Sequence, residues 1–84
     1  MKFKANVKVM LKPSVLDPQG ATLERALKSM GYDNVGSVRV GKLIELVLES
    51  ENIGEAEKAA NEWADRLLAN HNMEHYSLTL EPLP

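Results

Sequence analysis

Residues 2–12 alternate without a break. Phe3, Ala5, Val7, Val9 and Leu11 fall on one parity, and Lys2, Lys4, Asn6, Lys8, Met10 and Lys12 on the other. A period of two is the pattern of a β-strand with one face buried. It commits the chain to a sheet with a dry side and a wet, lysine-rich side. The remaining elements must cover the dry side.

Pro13 ends the strand. Asp17 then stands where a helix N-cap belongs, and Pro18 in the first turn, where a missing N–H costs nothing. Leu23, Ala26, Leu27 and Met30 follow at helical spacing as one apolar stripe. Gly31 suits the position just past a helix end, so the spacing predicts a helix over about 18–30.

Residues 35–49 admit two readings. Val38, Val40, Ile44, Leu46 and Leu48 share one parity; Arg39, Leu43, Glu45, Val47 and Glu49 share the other. A two-residue hairpin at Gly41-Lys42 would mix apolar and charged groups on each face. A three-residue loop, 41–43, restores parity but puts Leu43 where a left-handed residue is wanted. One long strand, bent or bulged near Gly41, keeps all five apolar residues together and is the favoured reading.

Ser50 or Asn52 can cap a second helix. Ile53, Ala56, Ala60, Trp63, Ala64, Leu67 and Leu68 form its apolar stripe, so Trp63 is expected in the core. Residues 74–81 alternate again, with Tyr76, Leu78 and Leu80 facing in, and Pro82 and Pro84 are expected to stop the strand. The order is β-α-β-α-β, or β-α-β-β-α-β if the middle strand folds at Gly41. Both give an α+β fold with two helices on one face of an antiparallel sheet. A strand spanning 35–49 is long beside the usual five or six residues. Its overhang predicts a homodimer whose sheet continues across the subunit boundary.

At 84 residues the chain is expected to be one domain, 1–84. A domain of this size buries only about 60% of its unfolded surface. With no cysteine it has neither disulfides nor thiolate metal sites to reinforce it. Oligomerisation is then the available reinforcement. The net charge of −2 argues against a nucleic-acid binder. The lysine face of the first strand lacks the exposed aromatics on which bases stack. The lysines near the start and Glu49, Glu51, Glu55 and Glu57 further on read as solvated faces or docking surfaces. With no apolar window long enough to span a membrane and no visible signal peptide, the chain is expected in the cytoplasm.

Catalytic equipment is sparse. No serine sits in a nucleophile elbow. His71 and His75 straddle the predicted helix end rather than sharing one helix face, which argues against a metal site. Gly41-Lys42 lacks the remainder of a phosphate loop. Asp17 and Pro18 are explained by the helix start. Gln19 and Gly20 are less so, because glycine inside a first turn costs up to about 1 kcal/mol relative to alanine. A glycine there permits close approach of another backbone. Arg39 and Lys42 are candidates for engaging acidic groups of a partner.

Two short segments, Val15-Leu16-Asp17-Pro18-Gln19-Gly20 and Val38-Arg39-Val40-Gly41-Lys42-Leu43-Ile44-Glu45, resemble the small S subunit of phosphoribosylformylglycinamidine synthase. The resemblance extends over essentially the whole chain in length and element order. It implies a non-catalytic subunit of a purine-biosynthetic enzyme. Such a subunit joins a glutaminase subunit, which releases ammonia from glutamine, to a large synthetase subunit. The large subunit would bind ATP and magnesium, and the small one no cofactor of its own. The small subunit would act as a dimer or larger oligomer, bridging the other two and sheltering the ammonia route. Asp17, Pro18, Gln19, Gly20, Arg39, Gly41 and Lys42 are then the candidate interface residues. Two competing readings are an amino-acid-binding regulatory domain of β-α-β-β-α-β type and an acylphosphatase-like hydrolase. The first lacks a glycine in the connection after the first strand. The second would have only Arg39 and Asn6 to hold a phosphate.

Overall fold

The computed structural model covers residues 1–84. The alternating segment forms the central strand β1 (Lys2–Leu11). It is flanked by β2 (Gly41–Glu49) and β3 (Glu74–Leu83), both antiparallel to it, in the order β2-β1-β3. Helix α1 (Pro18–Ser29) joins β1 to β2, and α2 (Ile53–Trp63) joins β2 to β3. This is the expected α+β fold, a three-stranded antiparallel sheet with two helices.

The register explains the core. Phe3 lies opposite Leu48 and Pro82, Ala5 opposite Leu46 and Leu80, Val7 opposite Ile44 and Leu78. All three strands therefore put their apolar parity on one face. Phe3 and Ala5 are buried beneath α2, and Val7 and Val9 beneath Ala64 and Ala69 just after it. On the other face Lys4 lies between Glu45 and Glu81, with Nζ 3.5 and 3.9 Å from their carboxylates.

Asn52 caps α2, its side-chain oxygen accepting from the Glu55 N–H at 2.9 Å. Ala56, Ala60 and Ala64 recur every fourth residue, are fully buried, and let the helix lie close to the sheet. Trp63 is not in the core as expected but 43% exposed. The three alanines hold the line nearest the sheet, and the larger side chains flank it. Residues Ala64–Leu68 wind as one π-helical turn, closed by the Ala69 N–H on the Ala64 carbonyl at 3.0 Å. A π-turn inserts one residue into the helical repeat. The inward position accordingly moves on to Ala69, which is buried, and Leu67 turns out to 82% exposure.

Residues 41–49 form one strand and no hairpin. The strand starts at Gly41, and residues 35–40 approach it without belonging to the sheet. The expected long strand is thus paired only in its second part. Pro82 does not end β3, which continues to Leu83. β3 is an edge strand, the place in a sheet where proline is tolerated.

The disposition of the helices differs from expectation. α2 covers the sheet, whereas α1 stands off it, and its one buried residue is Gly20. Leu23 and Met30, on the expected apolar stripe, are 49% and 68% exposed. α1 ends in a complete Schellman motif: the Tyr32 N–H reaches the Leu27 carbonyl, the Gly31 N–H the Lys28 carbonyl, and Gly31 has φ +96°. The helix is locally well built but carried as an arm. The molecule measures 52 × 30 × 14 Å.

Candidate functional site

The two short segments singled out in the sequence meet at the base of this arm. Asp17 is the N-cap of α1. Its Oδ1 accepts from the Gly20 N–H at 2.9 Å, as a capping aspartate should. Its Oδ2 accepts from the Val40 N–H at 2.8 Å, 23 residues further along the chain. One carboxylate thus ties the start of α1 to the entrance of β2. The two N–H donors, aided by the nearby Arg39 guanidinium, hold the Asp17 carboxyl below its ordinary value; partial desolvation opposes them.

Gly20 is where the backbones cross. A Cβ there would lie 2.3 Å from the Val38 carbonyl oxygen and 2.6 Å from Asp17 Oδ2. No side chain fits without moving the backbone. Gly41 has the same property on the other side of the joint: a Cβ would lie 2.6 Å from the Val9 carbonyl oxygen and 2.1 Å from Met10 Sδ. Arg39 donates through Nη2 to the carbonyl of Leu11, the last residue of β1. Lys42 leans toward Glu74 at the start of β3, Nζ to Oε2 3.9 Å, with its side chain about half exposed.

All seven sequence-derived candidates therefore gather in one place, in two kinds. Asp17, Gly20, Arg39 and Gly41 are engaged with the chain's own backbone. Pro18, Gln19 and Lys42 face outward beside them. Pro18 and Gln19, with Thr22, Leu23 and Val40, line an open hollow of about 470 Å³. A smaller one of about 220 Å³ adjoins it through Gln19 and Val40 and reaches Lys42 and Glu74. Val38 and Val40, read only as apolar members of a strand and of a short segment, and Glu74 were not among the candidate site residues. Their part is played by backbone groups or by a contact between distant segments, and neither leaves a motif. A signal existed on the other side: a capping aspartate uses one oxygen, and its second must find a donor elsewhere.

Neither histidine bonds to the residues of this joint. His71 follows the π-turn with Nε2 3.0 Å from the Asp65 carboxylate, and His75 lies on β3 opposite Met10. Asn6 and Arg39 do not converge. Asn6 is mid-strand on β1 opposite Glu45 and Thr79, while Arg39 binds the strand's far end. The site offers hydrogen bonds, shape and apolar surface.

Comparison with known proteins gives the same answer along the whole chain. The model of the PurS family, described as phosphoribosylformylglycinamidine (FGAM) synthase, matches residues 4–82. The phosphoribosylformylglycinamidine synthase subunit PurS of Bacillus subtilis is 42% identical over 79 residues, covering 94% of this chain and 93% of that protein. The same subunit of Synechocystis is 40% identical over 81 residues, covering 96% and 81%. Among solved structures, Thermus thermophilus PurS superposes with a TM-score of 0.89 at 44% identity, over the full length of both chains. A chain in the structure of PurLQS from Thermotoga maritima gives 0.88 at 32% identity, covering 96% and 99%. Sequence, fold and the two meeting segments thus agree that the chain belongs to the PurS family of phosphoribosylformylglycinamidine synthase subunits.

Proposed function

We propose that this chain is the non-catalytic bridging subunit of a phosphoribosylformylglycinamidine synthase, acting in the cytoplasm. It joins a glutaminase subunit to a large synthetase subunit and supports passage of ammonia between them. On this reading the glutaminase hydrolyses glutamine to glutamate and ammonia. The synthetase, with ATP and magnesium, phosphorylates the amide oxygen of formylglycinamide ribonucleotide. Ammonia adds to the activated carbon and phosphate leaves, giving formylglycinamidine ribonucleotide. This chain binds no cofactor and forms no bond in the sequence. It serves as a homodimer or larger oligomer.

The observation that carries the reading is the arm. Leu16, Leu23, Met30 and Tyr32, all on or beside α1, are exposed large apolar side chains. Exposed large apolar side chains also occur on β2 and α2, but those of the projecting arm border the open hollow at its base through Leu23, and such apolar surface marks a binding surface. Beside it Pro18, Gln19 and Lys42 supply a rim of mixed polarity, as partner-docking surfaces have. The unpaired outer edge of β2 and residues 35–40 ahead of it offer backbone for pairing with a second copy. The name PurLQS of the Thermotoga assembly, in which a chain of this fold is found, fits the same picture.

The test is reconstitution with the large and glutaminase subunits. Formation of formylglycinamidine ribonucleotide is measured with glutamine and then with free ammonia as nitrogen donor. The expected result is that omitting this chain abolishes the glutamine-dependent rate and spares the ammonia-dependent one. Unchanged rates with both donors would overturn the proposal and turn attention to amino-acid binding.

A further inference from the structure

We propose that Lys42 is a carboxylate-binding residue at the open end of the apolar layer. It takes an acidic side chain of another subunit of the synthase, and Glu74 stands in for that side chain in the unassembled chain. The identity of the partner rests on the bridging role proposed above.

Charge is out of place at this end of the sheet. Leu48, Leu46 and Ile44 carry the inward parity of β2, and its next member is Lys42, opposite Val9. Leu80, Leu78 and Tyr76 carry the inward parity of β3, and its next member is Glu74, opposite Leu11. Both outer strands thus turn from apolar to charged at the same end, on the face that elsewhere holds the core. There a hollow of about 220 Å³ opens, lined by Val9, Leu11 and Val40 together with Lys42 and Glu74.

The two charges are unequal partners. Glu74 is committed: its Oε1 accepts from the Asn70 N–H at 2.8 Å, and its side chain is only 20% exposed. Its Oε2 stays 3.9 Å from Lys42 Nζ, outside hydrogen-bonding distance. Lys42 is 56% exposed and spends none of its three N–H donors on Glu74. Closing the gap would draw Glu74 away from Asn70. The sheet's other carboxylates near β1, Glu45 and Glu81, lie on the opposite face around Lys4. A carboxylate entering the hollow from outside has no such tether. It can meet the ammonium at the roughly 2.7–2.9 Å of a charge-assisted bond. The apolar lining excludes water from the new pair and so strengthens it. Glu74 attracts the same ammonium, and therefore competes with the partner.

Glutamine in place of Glu74 separates competition from structure. Its side-chain carbonyl keeps the acceptor for Asn70, and the charge is gone. The affinity of this chain for the large and the glutaminase subunits is measured by sedimentation of the mixed subunits, with circular dichroism to confirm that each variant is folded. We expect Lys42→Met, which keeps an apolar stem, to raise the Kd about tenfold. Glu74→Gln should lower it about threefold, the size of a partly exposed ion pair. In the double variant this gain should disappear, because no ammonium remains to be released. Added salt should weaken binding of the parent chain more than that of Lys42→Met.

A Lys42→Met variant that binds as the parent does overturns the proposal. A Glu74→Gln variant that binds no tighter, or whose gain persists without Lys42, overturns the competition. If the effects appear in self-association of this chain and not with the other subunits, the carboxylate belongs to a second copy and the proposed partner is wrong. A parent chain that binds the other subunits but confers no glutamine-dependent rate refutes the bridging role alone, because the affinities still decide the site. A parent chain that binds neither subunit overturns both.

Discussion

Asp17 spends both carboxylate oxygens on backbone N–H groups, one local and one distant. Its folded pKa is lowered from the ordinary 3.8, the Gly20 N–H being the largest cause and the Val40 N–H the next. A lowered carboxyl pKa stabilises the fold above the unfolded value, and that contribution is lost as pH falls through the folded value. The parent chain should therefore resist urea better than Asp17→Asn at neutral pH. Unfolding curves at stepped pH should show this advantage narrowing below about pH 4. An advantage independent of pH down to the acid limit would mean that the carboxylate charge is not what holds the joint. The sequence disclosed half of this residue. Aspartate before proline before an apolar stripe announces a cap. The partner of the second oxygen is a main-chain N–H, which every residue but proline possesses, so nothing in the spelling of the chain points to Val40. Gly20 was more informative, because a glycine in a first turn has a cost that some close approach must justify.

At the level of the element, α2 shows how a stripe can be read correctly and its burial wrongly. The periodicity from Ile53 to Leu68 located the helix, and Asn52 its start. What the periodicity cannot rank is which members of a broad stripe stand nearest the sheet. Ala56, Ala60 and Ala64 do, and Trp63 and Leu67 are left outside. The π-turn adds a shift in repeat that no single residue type announces. Replacing Ala60, packed against Phe3, Ala5 and Leu48, with leucine should cost about 1–3 kcal/mol through overpacking. Leu67→Ala should change stability by no more than about 0.5 kcal/mol, as surface substitutions do. Equilibrium urea unfolding of the two variants checks the contrast, and equal losses would show that α2 packs differently. Elsewhere the same logic succeeded, because β1 is the middle strand and its alternation leaves no choice of face. α1 was located by its cap and by Gly31, but its stripe gave no hint that it would face solvent. An amphipathic pattern reports that a face wants cover, not whether its own chain provides it.

For the whole molecule the decisive quantity is shape. A compact chain of this length has a radius of gyration of about 12 Å; this one has 16.6 Å. Only 10 of 84 residues are buried. If so thinly packed a fold draws stability from the proposed self-association, its thermal midpoint depends on protein concentration. Calorimetry across a hundredfold dilution should show the midpoint falling as the protein is diluted. A constant midpoint, with a monomer in sedimentation, would remove the homodimer from the proposal. The overlong apolar parity of 35–49 is what motivates the homodimer, although the chain uses only its second part in its own sheet. Pro82 has a further consequence. A sheet with two free margins can accept neighbours on both and propagate without limit, as fibrils do. Here one margin, β3, carries a proline that lacks a donor, which makes it a poor template. The other, β2, contains no proline. In the proposed homodimer, two copies joined through that single receptive margin by a two-fold axis would exhaust it, and growth of the sheet would terminate in a closed pair rather than a filament.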